Sequence, residues 1–155
     1  MPETTTKPAQ AAGTTDTSLR ITRRIRATPE ELFDAWTDAE GMRTWMTPAD
    51  AKDARAVLDV RVGGKFEIDM IGARGTHEHR GEYLVVDRPK KLSFTWVSVH
   101  VANLPTVVTL EFKPLSKDET ELTLTHEGFP SVESKNGHLE GWGMIVDKLA
   151  ATVGK

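Results

Sequence analysis

Apolar positions along this chain change their spacing several times, and each change marks an element. In LRITRRIRA, Leu19, Ile21 and Ile25 are set among polar residues, which predicts a strand. TPEELFDAWTD follows with the signals of a helix start: Thr28 as N-cap, Pro29 at the first helical position and Glu31 to close a capping box. Leu32, Phe33 and Trp36 then fall on one helical face. AEGMRTWM predicts a second short helix, beginning after Asp38, ending before Pro48 and burying Met42 and Trp45.

From about Ala56 the spacing becomes alternating. AVLDVRVGGKFEIDMIG predicts a short strand, a turn at Gly63–Gly64 and a strand with Phe66, Ile68 and Met70 on one side. THEHRGEYLVVD, KKLSFTWVSV, TVVTLEFKP and TELTLTHEG predict four more strands joined by short polar turns, which is an antiparallel meander. Their inward faces carry Leu92, Phe94 and Trp96; Val108, Leu110 and Phe112; and Leu122, Leu124 and His126. The last segment, NGHLEGWGMIVDKLAATV, places Leu139, Trp142, Val146, Leu149 and Val153 at steps of three and four, one helical stripe. Gly137, Gly141 and Gly143 lie in its first half, each costing about 1 kcal/mol relative to alanine. Either the helix backbone comes close to the sheet there, or it leaves room for something else. Strand, two short helices, about six further strands and a long helix make an α+β domain, a curved antiparallel sheet over a C-terminal helix.

The chain has 155 residues, enough for one domain with a full core. Residues 1–18, rich in Thr, Ala and Pro, are expected to form a disordered tail, and 19–155 a single domain. A net charge of −3 with basic residues clustered only in RITRRIR argues against a nucleic-acid partner. No apolar run is long enough to span a membrane and the N-terminus has no secretion signal, so a cytoplasmic location is expected. The absence of cysteine excludes disulfides and thiolate chemistry. Neither a phosphate-binding loop nor a nucleophile elbow is present: the glycines of VGGKF do not precede a helix. HLEGW lacks the second histidine of a metalloprotease helix, and no cofactor is expected.

Taken in order, FDAWTDAEGMRTWM, VGGKFEIDM, RGEYLVVDRPKKLSFTW, VTLEF and LTHEGF…GW resemble the heat-shock-protein-90 ATPase activator homologue-like family of the START-like (SRPBCC) superfamily. The resemblance spans about Arg20 to Val153. It implies a helix-grip fold of six to seven strands and an internal cavity between sheet and C-terminal helix. Superfamily members hold lipids, sterols, polyketides and other apolar molecules in such cavities, and some perform cyclisation or hydrolysis there. The resemblance also implies a possible chaperone-related protein partner.

Three classes of function therefore stand: a binding module for a small, largely apolar molecule, which leads; an acid–base enzyme using the same cavity, with His126, Glu78 or His79 as its group; and a co-chaperone-like surface. The candidate ligand-binding residues are Trp45, Met70, His79, Trp96, His126 and Trp142, with Met46 and Met144 as adaptable wall. Trp36 is expected in the core. His77 and His79 share a strand face and supply two metal donors, three only if the strand of His126 lies beside theirs, so a metal site is discounted. His126 is read first as a core histidine bonded to backbone or a carboxylate, because a base without a nucleophile or partner is incomplete. Exposed strand edges leave monomer and homodimer both open.

Overall fold

The computed structural model describes residues 14–154, so residues 1–13 of the expected tail and Lys155 lie outside the described residues. Seven strands form one curved antiparallel sheet in the order β1-β7-β6-β5-β4-β3-β2. They are β1 (Ser18–Ile25), β2 (Ala51–Leu58), β3 (Lys65–Gly72), β4 (Gly75–Asp87), β5 (Lys91–Trp96), β6 (Thr106–Ser116) and β7 (Glu119–Glu127). Helices α1 (Pro29–Trp36) and α2 (Met42–Trp45) follow β1, and α3 (Val132–Val153) ends the domain. This is the helix-grip arrangement. Among the described residues no helix is long and apolar enough to cross a membrane.

Local chemistry explains the elements. The Thr28 hydroxyl accepts from the Glu31 N–H at 3.1 Å, and the Glu31 carboxylate accepts from the Thr28 N–H at 2.8 Å, so the capping box of α1 is complete. Such a cap contributes about 0.5–2 kcal/mol. It orients α1 so that Leu32, Phe33 and Trp36 enter the core. Strand β4 turns the sheet: its first part pairs with β3, its last part with β5, and the register shifts between Tyr83 and Val85. Gly81 lies at this bend. A Cβ there would sit 1.9 Å from the Thr95 carbonyl oxygen and 2.5 Å from the Phe66 ring, so only glycine allows the strands and the ring to meet.

Two boundaries differ from the sequence reading. Strand β2 starts at Ala51, not near Ala56, because it is an edge strand on which only Ala54 is fully buried and the apolar alternation is masked. Helix α3 starts at Val132, four residues before Asn136, with the Ser131 hydroxyl accepting from the Ser134 N–H. Its first turn, an exposed Val132 followed by Glu133, Ser134 and Lys135, carries no apolar periodicity and so lies outside the stripe.

The core fills the concave side of the sheet beneath α3. Trp36 packs edge-on to Trp45 at 4.8 Å, and Phe66 touches Tyr83, Phe94 and Trp96. These rings fill the interior between α1, α2 and the sheet. The space left among Trp36, Phe66, Tyr83 and Trp96 is only about 10 Å³, room for one water at most.

A histidine-lined cleft at the first half of the C-terminal helix

The larger opening lies beside the packed interior, at one end of α3. A cleft of about 530 Å³ runs between the first half of α3, strands β3 and β4, the segment from Pro48 into the start of β2 at Ala51, and the 3₁₀ turn Val99–Val101. Strand register brings the sheet residues to it. Met70 pairs with His77 and Ile68 with His79 across β3 and β4, so Met70, His77 and His79 all line the cleft. Trp96 and Trp142 form the apolar wall, their ring centroids 5.0 Å apart, and Ile145 extends it.

The helix glycines explain the opening. A Cβ on Gly137 would meet nothing within 4 Å, and one on Gly141 would meet only Pro48 at 3.8 Å. Both residues line the cleft. Close backbone packing is therefore not what these glycines serve; they leave space. Gly143 faces Arg23 instead, at 3.9 Å.

Four of the five histidines line this cleft: His77, His79, His100 and His138. His79 is 6% exposed and lies flat on Trp96, with centroids 4.7 Å apart and planes 29° apart. Its Nδ1 is 3.2 Å from the Ile68 carbonyl oxygen, so Nδ1 carries the proton and Nε2 presents a lone pair. Burial pulls the pKa of His79 down to about 4 against a weaker opposing effect of that hydrogen bond, and the nearby His100, His138 and His77 add to the depression. His138 donates from Nδ1 to the Ser134 carbonyl at 2.8 Å, again leaving Nε2 as an acceptor. Its pKa is lowered, chiefly by burial. At the mouth, His77 Nδ1 and His100 Nε2 share one hydrogen bond of 3.0 Å. The pKa of His100 is lowered first by burial, then by His77.

His126 is placed differently. It is fully buried behind Trp142, whose indole N–H donates to Nδ1 at 3.0 Å. Nε2 must then carry the proton. It donates to the Thr106 hydroxyl at 2.7 Å, and Thr106 donates to the Trp96 carbonyl. Both nitrogens are spent, and burial lowers the pKa well below the ordinary value. The partners are thus an indole and a hydroxyl, where backbone or a carboxylate was expected.

Of the six candidate residues, Met70, His79, Trp96 and Trp142 line the cleft. Trp45 lies in the core against Trp36, and His126 lies in the network behind the wall. Met46 is buried, whereas Met144 is at the surface, its sulfur accepting from the Ala49 N–H at 3.2 Å. Glu78 is exposed on β4 and does not line the cleft. The residue that joins His77 and His79 is His100, not His126. Sequence reasoning missed His100 and His138: the first sits on a short turn between strands, the second on the polar side of the apolar stripe of α3. Among the described residues no group of three or more His, Asp or Glu is placed to hold a metal ion.

Fold and cleft together define a helix-grip domain with a ligand-sized opening against its C-terminal helix. The chain belongs to the Activator of Hsp90 ATPase homolog 1-like protein family, whose model matches residues 26–154. Comparison with curated proteins gave no match. Among solved structures, a Chromobacterium violaceum protein is similar at 25% identity and a TM-score of 0.76, covering 88% of this chain and 96% of that one. An HSP90 activator from Plasmodium falciparum is similar at 25% identity and a TM-score of 0.71, covering 88% of this chain and 95% of that one. An AHSA1 protein from Silicibacter pomeroyi shares the fold at 24% identity and a TM-score of 0.72, covering 87% and 96%.

Proposed function

We propose that this domain binds a small, largely apolar molecule in the cleft between the first half of α3 and strands β3 and β4. The carrying observation is the cleft itself: about 530 Å³ with Trp96, Trp142, Met70 and Ile145 as walls. That volume lies within the range of about 300–1,000 Å³ usual for small-molecule sites, which combine an apolar lining with a few placed polar groups. Gly137 and Gly141 keep it open at a cost of about 1 kcal/mol each in helix stability.

Native mass spectrometry of freshly purified protein tests this, compared with its denatured mass and with Gly137→Leu. The leucine side chain enters open space, so the variant folds while the cleft is filled. A mass adduct lost on denaturation and absent from Gly137→Leu supports the reading. An adduct equally present in Gly137→Leu places the ligand elsewhere and overturns it.

The similarity to an HSP90 activator supports a second reading, a chaperone partner engaged through the surface. Stimulation of an Hsp90 ATPase by this protein, unchanged in Gly137→Leu, favours it. No stimulation at saturating protein removes it. The His77–His100 hydrogen bond is the one observation on the side of acid–base catalysis. Neither ring is hydrogen-bonded to a carboxylate that would orient it for that work.

A further inference from the structure

Building on the ligand-binding reading, we infer the chemical class of the ligand: an aromatic or alicyclic molecule whose single polar head donates hydrogen bonds, an alcohol or a protonated amine, and not a carboxylic acid. Three observations at the cleft carry this.

The first is the hydrogen-bonding state of its two more buried imidazoles. The protons of His79 and His138 are committed to the backbone carbonyls of Ile68 and Ser134. Each Nε2 is left with a lone pair and no protein partner, yet neither is sealed off within the protein. Ser134, a further polar group of the wall, also spends its hydroxyl proton, on the His100 carbonyl at 2.6 Å. The inner polar surface therefore accepts hydrogen bonds and has few to give. A ligand hydroxyl or ammonium satisfies it; a carboxylate would set lone pairs against lone pairs.

The second is charge. Among the described residues no lysine or arginine lines the cleft, while Asp50 and Glu133 stand at its mouth. Sites that take carboxylates use Arg or Lys, or a helix N-terminus. The N-terminus of α3 is near, but Ser131 already caps it and Glu133 occupies its first turn. Of the donors that remain, the Ser131 hydroxyl, the first backbone N–H groups of α3 and one N–H of the His77–His100 pair stand at the exposed mouth, and the unpartnered Trp96 indole N–H is sealed within the wall. The third observation is the wall. The paired indoles of Trp96 and Trp142, with the His79 ring lying on Trp96, give an apolar aromatic wall that suits a ring-shaped apolar body.

Equilibrium dialysis at pH 7.5 with four probes sharing one ring system tests the inference: 2-naphthylmethanol, 2-naphthylmethylamine, 2-methylnaphthalene and 2-naphthoate. The alcohol and the amine should bind about tenfold more tightly than 2-methylnaphthalene, the gain of one good hydrogen bond, with 2-naphthoate weakest. His79→Phe keeps a flat ring against Trp96 but has no acceptor, and should bring the alcohol and 2-methylnaphthalene within about twofold of each other. His138→Phe provides the same comparison on α3, should the first variant not fold. Equal binding of all four probes, or preference for 2-naphthoate, overturns the donor-head assignment and leaves the cleft as a binding site. Binding by none of the four overturns both.

Discussion

Exchanging the histidine that lies on Trp96 for asparagine should remove a defined part of the acid sensitivity of the fold. Asparagine at 79 can place its amide N–H where the imidazole Nδ1–H now meets the Ile68 carbonyl at 3.2 Å, and it does not titrate. The His79 pKa is about 4 in the folded protein against an ordinary 6.5, with burial the main cause. As pH falls, the unfolded chain therefore takes up the proton first. The contribution of the neutral ring is fully present above the ordinary value, is lost between about 6.5 and 4, and changes no further below that. At about 1.4 kcal/mol per pKa unit, acidification from pH 7 to 4.5 removes about 2.5 kcal/mol through this residue alone. The assay is urea unfolding followed by tryptophan fluorescence, on the wild type and His79→Asn at both pH values. Groups common to both proteins cancel in the double difference, apart from the weaker coupling of His79 to His100, His138 and His77. With a urea dependence of about 2 kcal/mol per molar, the wild-type midpoint should fall by about 1 M more than that of the variant. Equal shifts in the two proteins would refute the buried, neutral state assigned to His79.

Further outcomes follow from the same geometry. Thr106→Val keeps side-chain shape but strands the His126 N–H and the Trp96 carbonyl, so urea unfolding should show a loss of about 1–3 kcal/mol, largely restored by Thr106→Ser. Gly81→Ala drives a Cβ into the Thr95 carbonyl and the Phe66 ring, and thermal unfolding should show a loss of roughly 3 kcal/mol or no folded protein at all. Gly137→Ala, placed in open space on α3, should instead raise stability by up to about 1 kcal/mol in the same measurement. Asp34→Asn breaks the two-pronged contact with Arg88 at 2.8 and 2.9 Å, but both side chains are exposed, so the change should stay below about 1 kcal/mol and shrink further in high salt.

The sequence made some parts of this molecule easy to read. Alternation in KFEIDM, KLSFTW and TELTLTH marks strands because one face of each is core and the other is not. Thr28, Pro29 and Glu31 mark a helix start through backbone groups that lie within three residues of each other. Legibility fails where the signal is not local. The alternation of β2 is hidden because an edge strand here buries only Ala54 completely. His77 and His79 announce a shared face, but which residue completes their group depends on the loop after β5, where His100 stands 23 positions further on. The glycines of α3 show in the sequence that the helix gives up stability; which of the two alternatives explains them depends on what a Cβ would meet in space.

Burial alone does not separate a structural histidine from one that faces a ligand. His126 and His79 are both nearly inaccessible, at 0% and 6% exposure, and burial depresses both pKa values. The difference lies in hydrogen-bond capacity. His126 has given its proton to Thr106 and its lone pair to Trp142, so its polar groups are satisfied within the protein and it can offer a ligand nothing without breaking a core bond. His79 has given only its proton, to Ile68. A lone pair held next to an apolar wall is costly to leave unmatched, and where it borders an open cleft the match has to come from water or from a ligand. An apolar ligand that displaces the water without replacing its hydrogen bond forfeits part of what it gains from Trp96 and Trp142. On the ligand-binding reading proposed above, the same pair of indoles and the same imidazole set affinity and selectivity together: the rings reward a flat apolar body, and the unspent nitrogen discriminates among such bodies by what their polar end can donate.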